Sequence, residues 1–95
     1  MSFLRDRRRV PPTPVKIEVQ LFSRLRDLAG CSRLALDLPA GATVGDALTR
    51  VYADHPAVRE WDRHLLLAVD LEYVRREQGL REGDSLSIMP PVQGG

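Results

Sequence analysis

The feature that most constrains this 95-residue chain is the change of its hydrophobic period from strand to helix and back. In "VKIEVQLF", Val15, Ile17, Val19 and Leu21 alternate with Lys16, Glu18, Gln20 and Phe22. That is the period of a strand with one buried face, and it leaves Phe22 on the polar side. "RLALDLP" repeats the alternation with Leu34, Leu36 and Leu38. The linking stretch "SRLRDLAG" is short and helix-compatible, so the two strands read as an antiparallel hairpin with an irregular turn. In "PAGATVGDALTRVYADHP" the period becomes helical, with Val44, Ala47, Leu48, Val51 and Tyr52 on one face. Thr43 is placed to cap this helix, Asp46 supplies the capping-box acid three residues on, and Asp54-His55-Pro56 marks its end.

Beyond the helix the pattern returns to strands. Residues 57 to 64 are ambiguous, with Trp61 expected as a partly buried packing residue. "HLLLAVDLEYV" predicts a strand from Leu65 to Val69 and a short one from Glu72 to Val74. The turn between them, Asp70-Leu71, is imperfect because Leu resists the positive φ of tight hairpins. In "LREGDSLSIMP", Gly83-Asp84 turns the chain, Leu86 and Ile88 point inward, and Ser85, Ser87 and Met89 point away. A hairpin, one crossover helix and strands returning to the same sheet specify an α+β layout, a mixed sheet packed on one main helix. A β-grasp (ubiquitin-like) roll satisfies that order. A ferredoxin-like sandwich needs a second full-length helix, which residues 75 to 84 are too short and turn-rich to supply.

Three segments follow: a basic arm over residues 1–14, the β-grasp domain over 15–90, and an extended tail over 91–95. The arm carries Arg5, Arg7, Arg8 and Arg9 against Asp6, and its prolines disfavour helix and strand, so it reads as solvated and largely disordered. No apolar run long enough for a secretory signal or a membrane span follows it, which makes the cytoplasm the expected compartment. A net charge of +1 gives the whole domain no reason to bind nucleic acid or a membrane. Cys31 is the only cysteine, and His55 and His64 have no further ligands at metal-binding spacing, so neither an internal disulfide nor a metal site is expected. No phosphate-binding glycine motif or nucleophile signature is present. Any reacting group has to be sought elsewhere.

The remaining candidate is the tail, "IMPPVQGG". Pro90 and Pro91 stop the last strand and bias the chain toward an extended exit. Gly94 and Gly95 have no side chain to block entry to a narrow groove, and Gly95 carries the α-carboxylate. Together with "LFSRLRDLAG", "LPAGATVGDAL", "LLLAVDLEYV" and "LREGDSLSIMPPVQGG", in that order, the chain resembles the MoaD family of ubiquitin-like sulfur carriers, the small subunit of molybdopterin synthase. The likeness runs from about residue 15 to Gly95 and leaves the arm outside.

The resemblance implies a non-catalytic carrier whose catalytic pocket lies in the large synthase subunit, with a heterotetramer expected. A ubiquitin-activating-type adenylyltransferase, using ATP and Mg, would adenylate Gly95. A sulfur donor, a cysteine desulfurase or rhodanese-like protein, would then convert it to a thiocarboxylate. No cofactor is expected on the carrier itself. Gly94 would be the slim neighbour, and Pro90, Pro91, Val92 and Gln93 the presenting arm. Phe22, Tyr73 and Met89 correspond to partner-facing apolar positions, or else cover an edge of the sheet. Arg26 matches a position where the family commonly has Arg, as a partner contact or a plain solvated charge. Asp70-Leu71 departs from the family's Asn-Gly-like turn. Two other readings stay open: a carrier of the same fold for thiamine, cysteine or tRNA thiolation, and a ubiquitin-like modifier. Lys16 is the single lysine, so lysine-linked chains of this protein have almost no acceptor.

Overall fold

The computed structural model describes residues 14–91. The expectations for the arm before Pro14 and for Val92, Gln93, Gly94 and Gly95 lie outside the described residues. Strand β1 spans Val15–Leu21, helix α1 Arg24–Ala29, strand β2 Arg33–Leu38 and the main helix α2 Val44–Asp54. The short helix α3 follows at Pro56–Arg59, then a 3₁₀ turn at Asp62–His64, β3 at Leu66–Val69, β4 at Glu72–Tyr73 and β5 at Ser85–Met89. The five strands form one sheet in the order β2-β1-β5-β3-β4. Among the described residues only the β1–β5 pairing is parallel, which gives the mixed sheet the sequence predicts.

Alternation fixes the inner face. Ile17, Val19, Leu21, Leu36, Leu38, Leu67, Val69, Leu86 and Ile88 are all buried there, and α2 contributes Val44, Ala47, Leu48 and Val51. A fully buried aliphatic side chain stabilises by roughly 1.5–3 kcal/mol, so this two-layer contact is the main source of stability. Trp61 packs half-buried against the same core, as expected of it.

The N-terminus of α2 has donors to satisfy, and two parts of the chain satisfy them. The Thr43 hydroxyl accepts from the Asp46 N–H at 3.2 Å, and the Asp46 carboxylate accepts from the Thr43 N–H at 2.9 Å, completing the expected capping box. The next two N–H groups, of Val44 and Gly45, donate to the carbonyls of Gln78 (2.8 Å) and Arg76 (2.9 Å). The loop between β4 and β5 is thereby tied to the helix. Its second anchor is a polar cluster the sequence reading did not anticipate. The Tyr52 hydroxyl donates to Asp62 Oδ1 at 2.5 Å, Arg76 Nη1 donates to the same oxygen at 2.8 Å, and Arg76 Nη2 donates to the Asp62 carbonyl. Partial burial, and then the Asp62 carboxylate, push the Tyr52 phenol well above its ordinary value. Asp62 is held below the usual carboxylate range, first by that hydroxyl and then by Arg76, against an opposing contribution from burial.

Two non-glycine turns are strained. Ser23 (φ 54) reverses the chain directly after Phe22, and both Asp70 (φ 50) and Leu71 (φ 75) take the positive φ that the β3–β4 hairpin demands. Leu71 thus adopts the conformation that Leu disfavours. Among the described residues, no helix is long and apolar enough to cross a membrane.

Candidate docking face and tail exit

The tail is fed by β5, which lies between β1 and β3 in the sheet. Leu86 and Ile88 anchor that strand with no measurable exposure. At the exit, the Phe22 N–H donates to the Ile88 carbonyl at 3.2 Å on one side, and Met89 pairs with Leu66 on the other. Pro90 and Pro91 follow, half-buried, and bring no N–H with which to extend the ladder. Phe22, Leu66 and Met89 therefore flank the point where the chain leaves the sheet.

Register determines what shares their face. Met89 and Ser87 point opposite to Ile88 and Leu86, as the alternation predicts, and pair with Leu66 and Ala68; Ala68 in turn pairs with Tyr73. Paired residues project to the same side of a sheet. The outer face over β5, β3 and β4 thus carries Met89, Leu66, Ala68 and Tyr73, with Phe22 beside them at the end of β1. Tyr73 is 75% exposed and Phe22 40%, while Met89 and Leu66 are half-buried.

Leu66 and Ala68 were not among the sequence candidates. Their signal was the unbroken run "LLLAV", because a strand with no polar residue in its alternation is apolar on both faces. Leu71 is a further exposed apolar residue, at 95%. It sits at the opposite end of the sheet from the exit, where the Asp70 N–H meets the Ser85 carbonyl at the start of β5 (3.1 Å). Arg26 lies on α1, which follows Phe22, with a largely exposed side chain 3.9 Å from Asp27. Cys31 is half-buried and unbonded to another cysteine.

The other half of the outer face, over β2 and β1, is polar. Arg33 lies 3.6 Å from Glu18, and the Gln20 amide donates to the other Glu18 oxygen at 3.3 Å. What this geometry can do is present one apolar half-face and an adjoining tail to another molecule. A shallow groove of about 420 Å³ on the helix side is lined by Tyr52, Asp62, Arg76 and Arg59 among others, so the polar cluster forms part of its wall.

Comparison with known proteins agrees with the fold. A family model described as the ThiS family matches residues 19–95. The molybdopterin synthase sulfur carrier subunit of Chlamydomonas reinhardtii is 34% identical over 83 residues, covering 85% of this chain and all of that protein. The protein of the same name from Arabidopsis thaliana is 35% identical over 81 residues, covering 85% of this chain and 84% of that one. Among solved structures, SAMP1 from Haloferax volcanii superposes with a TM-score of 0.75 at 31% identity, over 84% of this chain and 99% of that chain.

Proposed function

Because the chain belongs to the ThiS family, we propose that it is the sulfur carrier subunit of a molybdopterin synthase, acting through Gly95. The observation that carries this reading is that the family match continues from β1 through β5 and onward across Gly94 and Gly95. The relatives named above for that role share about a third of their residues with it.

In this reading the chain supplies a carboxylate and a docking face, and its partners supply the chemistry. A carboxylate is a poor electrophile, so an adenylyltransferase using ATP and Mg first converts Gly95 to an acyl-adenylate, with pyrophosphate leaving. The terminal sulfur of a persulfide donor displaces AMP to form an acyl disulfide, and a second thiol then breaks its S–S bond, leaving the thiocarboxylate on Gly95 and a disulfide on the donor. The large synthase subunit then receives the tail in its own pocket, where the thiocarboxylate gives its sulfur to a pterin precursor. Pro90, Pro91, Val92 and Gln93 span the distance to that pocket. Phe22, Met89 and Tyr73, with Leu66, form the surface that docks over the buried Ala68, and the compartment is the cytoplasm.

Loading with an activating enzyme and a sulfur source should raise the intact mass by about 16 Da, the replacement of a terminal OH by SH. Because oxidation of a methionine adds nearly the same mass and Met89 lies in the C-terminal peptide, fragmentation has to place the gain beyond Met89. Deleting Gly95 should abolish sulfur donation while leaving thermal unfolding unchanged, since a terminal residue makes few contacts; a truncated chain that still donates sulfur rules out the assignment. The likeness to SAMP1 favours a second reading, a ubiquitin-like modifier. Covalent adducts that contain this chain and require Gly95 would support that alternative.

A further inference from the structure

One edge of the sheet is β4, only two residues long, but the other is β2, with six. The backbone direction along β2 follows from its pairing. Leu21 N–H donates to the Ser32 carbonyl at 2.9 Å, while the Phe22 and Glu18 N–H groups point to the β5 side, to Ile88 and Asp84. By the alternation of an antiparallel ladder, Leu34 and Leu36 turn their amide groups toward β1, and Arg33, Ala35 and Asp37 turn theirs outward. The described residues pair no strand with that side. The Asp37 carbonyl has found only a side-chain donor, Arg50 Nη1 at 3.3 Å. Among the described residues this edge contains no proline and no strand covers it, and its charged side chains, Arg33 and Asp37, restrict the strand it can accept to one of complementary charge.

The side chains on this edge select what that strand is. Arg33 and Asp37 are equidistant from Ala35 and bear opposite charges, and all three side chains are exposed on the outer face. Turned about a two-fold axis through Ala35, the strand sets Ala35 opposite Ala35, and Arg33 of each copy opposite Asp37 of the other. These are the residues whose amides point outward, so each facing pair can exchange two N–H···O bonds, about six in all. Lys16 is the cross-strand partner of Asp37 within one chain. Across the joint the outer row therefore reads Lys16, Asp37, then Arg33 and Gln20 of the second copy, with charges alternating in sign. On the inner side Leu34, only half-buried in the single chain, meets Leu36 of the other copy.

We propose that β2 is a self-recognition edge, at which a second copy of this chain pairs antiparallel about Ala35 to make one continuous sheet. An interface of one strand is small beside the roughly 1,200 Å² at which stable complexes begin, so the dimer forms at high concentration and dissociates on dilution. The tail leaves from β5, two strands away from this edge, so both copies keep their exits clear.

Sedimentation of the full chain from micromolar to millimolar concentration tests this directly. The expected result is a reversible monomer–dimer equilibrium that Ala35→Pro abolishes, because it removes a central outward N–H. Asp37→Arg alone or Arg33→Asp alone should weaken association about tenfold by placing like charges opposite one another. The double reversal, Arg33→Asp with Asp37→Arg, should restore it. A chain that stays monomeric throughout overturns the proposal, and so does a dimer indifferent to Ala35→Pro or one that the double reversal fails to rescue. Association lost only in Phe22→Arg would move the contact to the apolar half-face and equally overturn it. Sulfur loading of Gly95 should be unaffected by any of the β2 substitutions, which separates failure of this idea from failure of the carrier reading.

Discussion

On the β2–β1 half of the outer face, Arg33 and Gln20 both reach Glu18, so the polar groups there satisfy one another. On the β5–β3–β4 half, Met89, Leu66 and Tyr73 share a surface with Phe22, and apolar side chains gain nothing from remaining in water. The two halves belong to one sheet and differ only in what the alternation places outward. The difference teaches that β3, beside the strand that feeds the tail, is apolar on both faces, while β5 turns Ser85 and Ser87 outward and becomes apolar there at Met89, next to the exit.

Substitutions can break this contrast, and they are ordered here by expected effect. Phe22→Arg should reduce affinity for the large synthase subunit about a hundredfold, as loss of an apolar anchor does, while unfolding shifts little because the side chain is 40% exposed. Equal losses of binding and stability would make Phe22 a packing residue. Tyr52→Phe should do the reverse, costing about 1 kcal/mol of stability for one net hydrogen bond with docking intact, since the Tyr52–Asp62–Arg76 cluster lies on the helix side.

That cost has a pH signature. The Asp62 carboxyl is depressed, so its contribution is present above the ordinary carboxyl range and lost as the pH falls through the folded value. The Tyr52 phenol is raised, so its contribution is present below the ordinary phenol value of 10.0 and is lost as the pH rises through the folded value. Denaturant midpoints of wild type and Tyr52→Phe should therefore differ most near neutrality and converge at acid pH.

Leu71→Gly should raise stability by roughly 0.5–1 kcal/mol, the relief of a left-handed Leu less the added chain entropy of Gly. If docking also weakens, the apolar half extends to the far end of the sheet. Glu18→Gln on the polar half should change stability by less than about 0.5 kcal/mol and leave docking untouched. A binding loss there like that of Phe22→Arg would erase the distinction between the halves.

Local patterns made β1, β2 and α2 legible, because each has its own period and α2 its own cap. Met89's outward direction followed from the alternation with Ile88. Residues 57 to 64 are ambiguous in sequence because α3 and the 3₁₀ turn are each too short to show a period, and Val58 is recruited by the core, not by its neighbours. The Tyr52–Asp62–Arg76 cluster joins residues 10 and 14 positions apart, and no local spacing announces it. Three consecutive leucines hid the outward side of β3, since alternation has nothing to mark when both faces are apolar. The Gly-Gly ending was readable as a candidate from residue chemistry, whereas the partners it serves were readable only by resemblance.

The position of β5 also governs how the molecule bears load. A tail drawn out of a deep groove pulls on Met89 along the strand axis. Because β5 is bonded to β1 on one side and β3 on the other, that pull shears both ladders together instead of peeling one bond at a time. An edge strand in the same place would unzip. Set in the interior of the sheet, the strand behaves as a tether, so the carrier can be withdrawn from a tight site without unravelling from its working end.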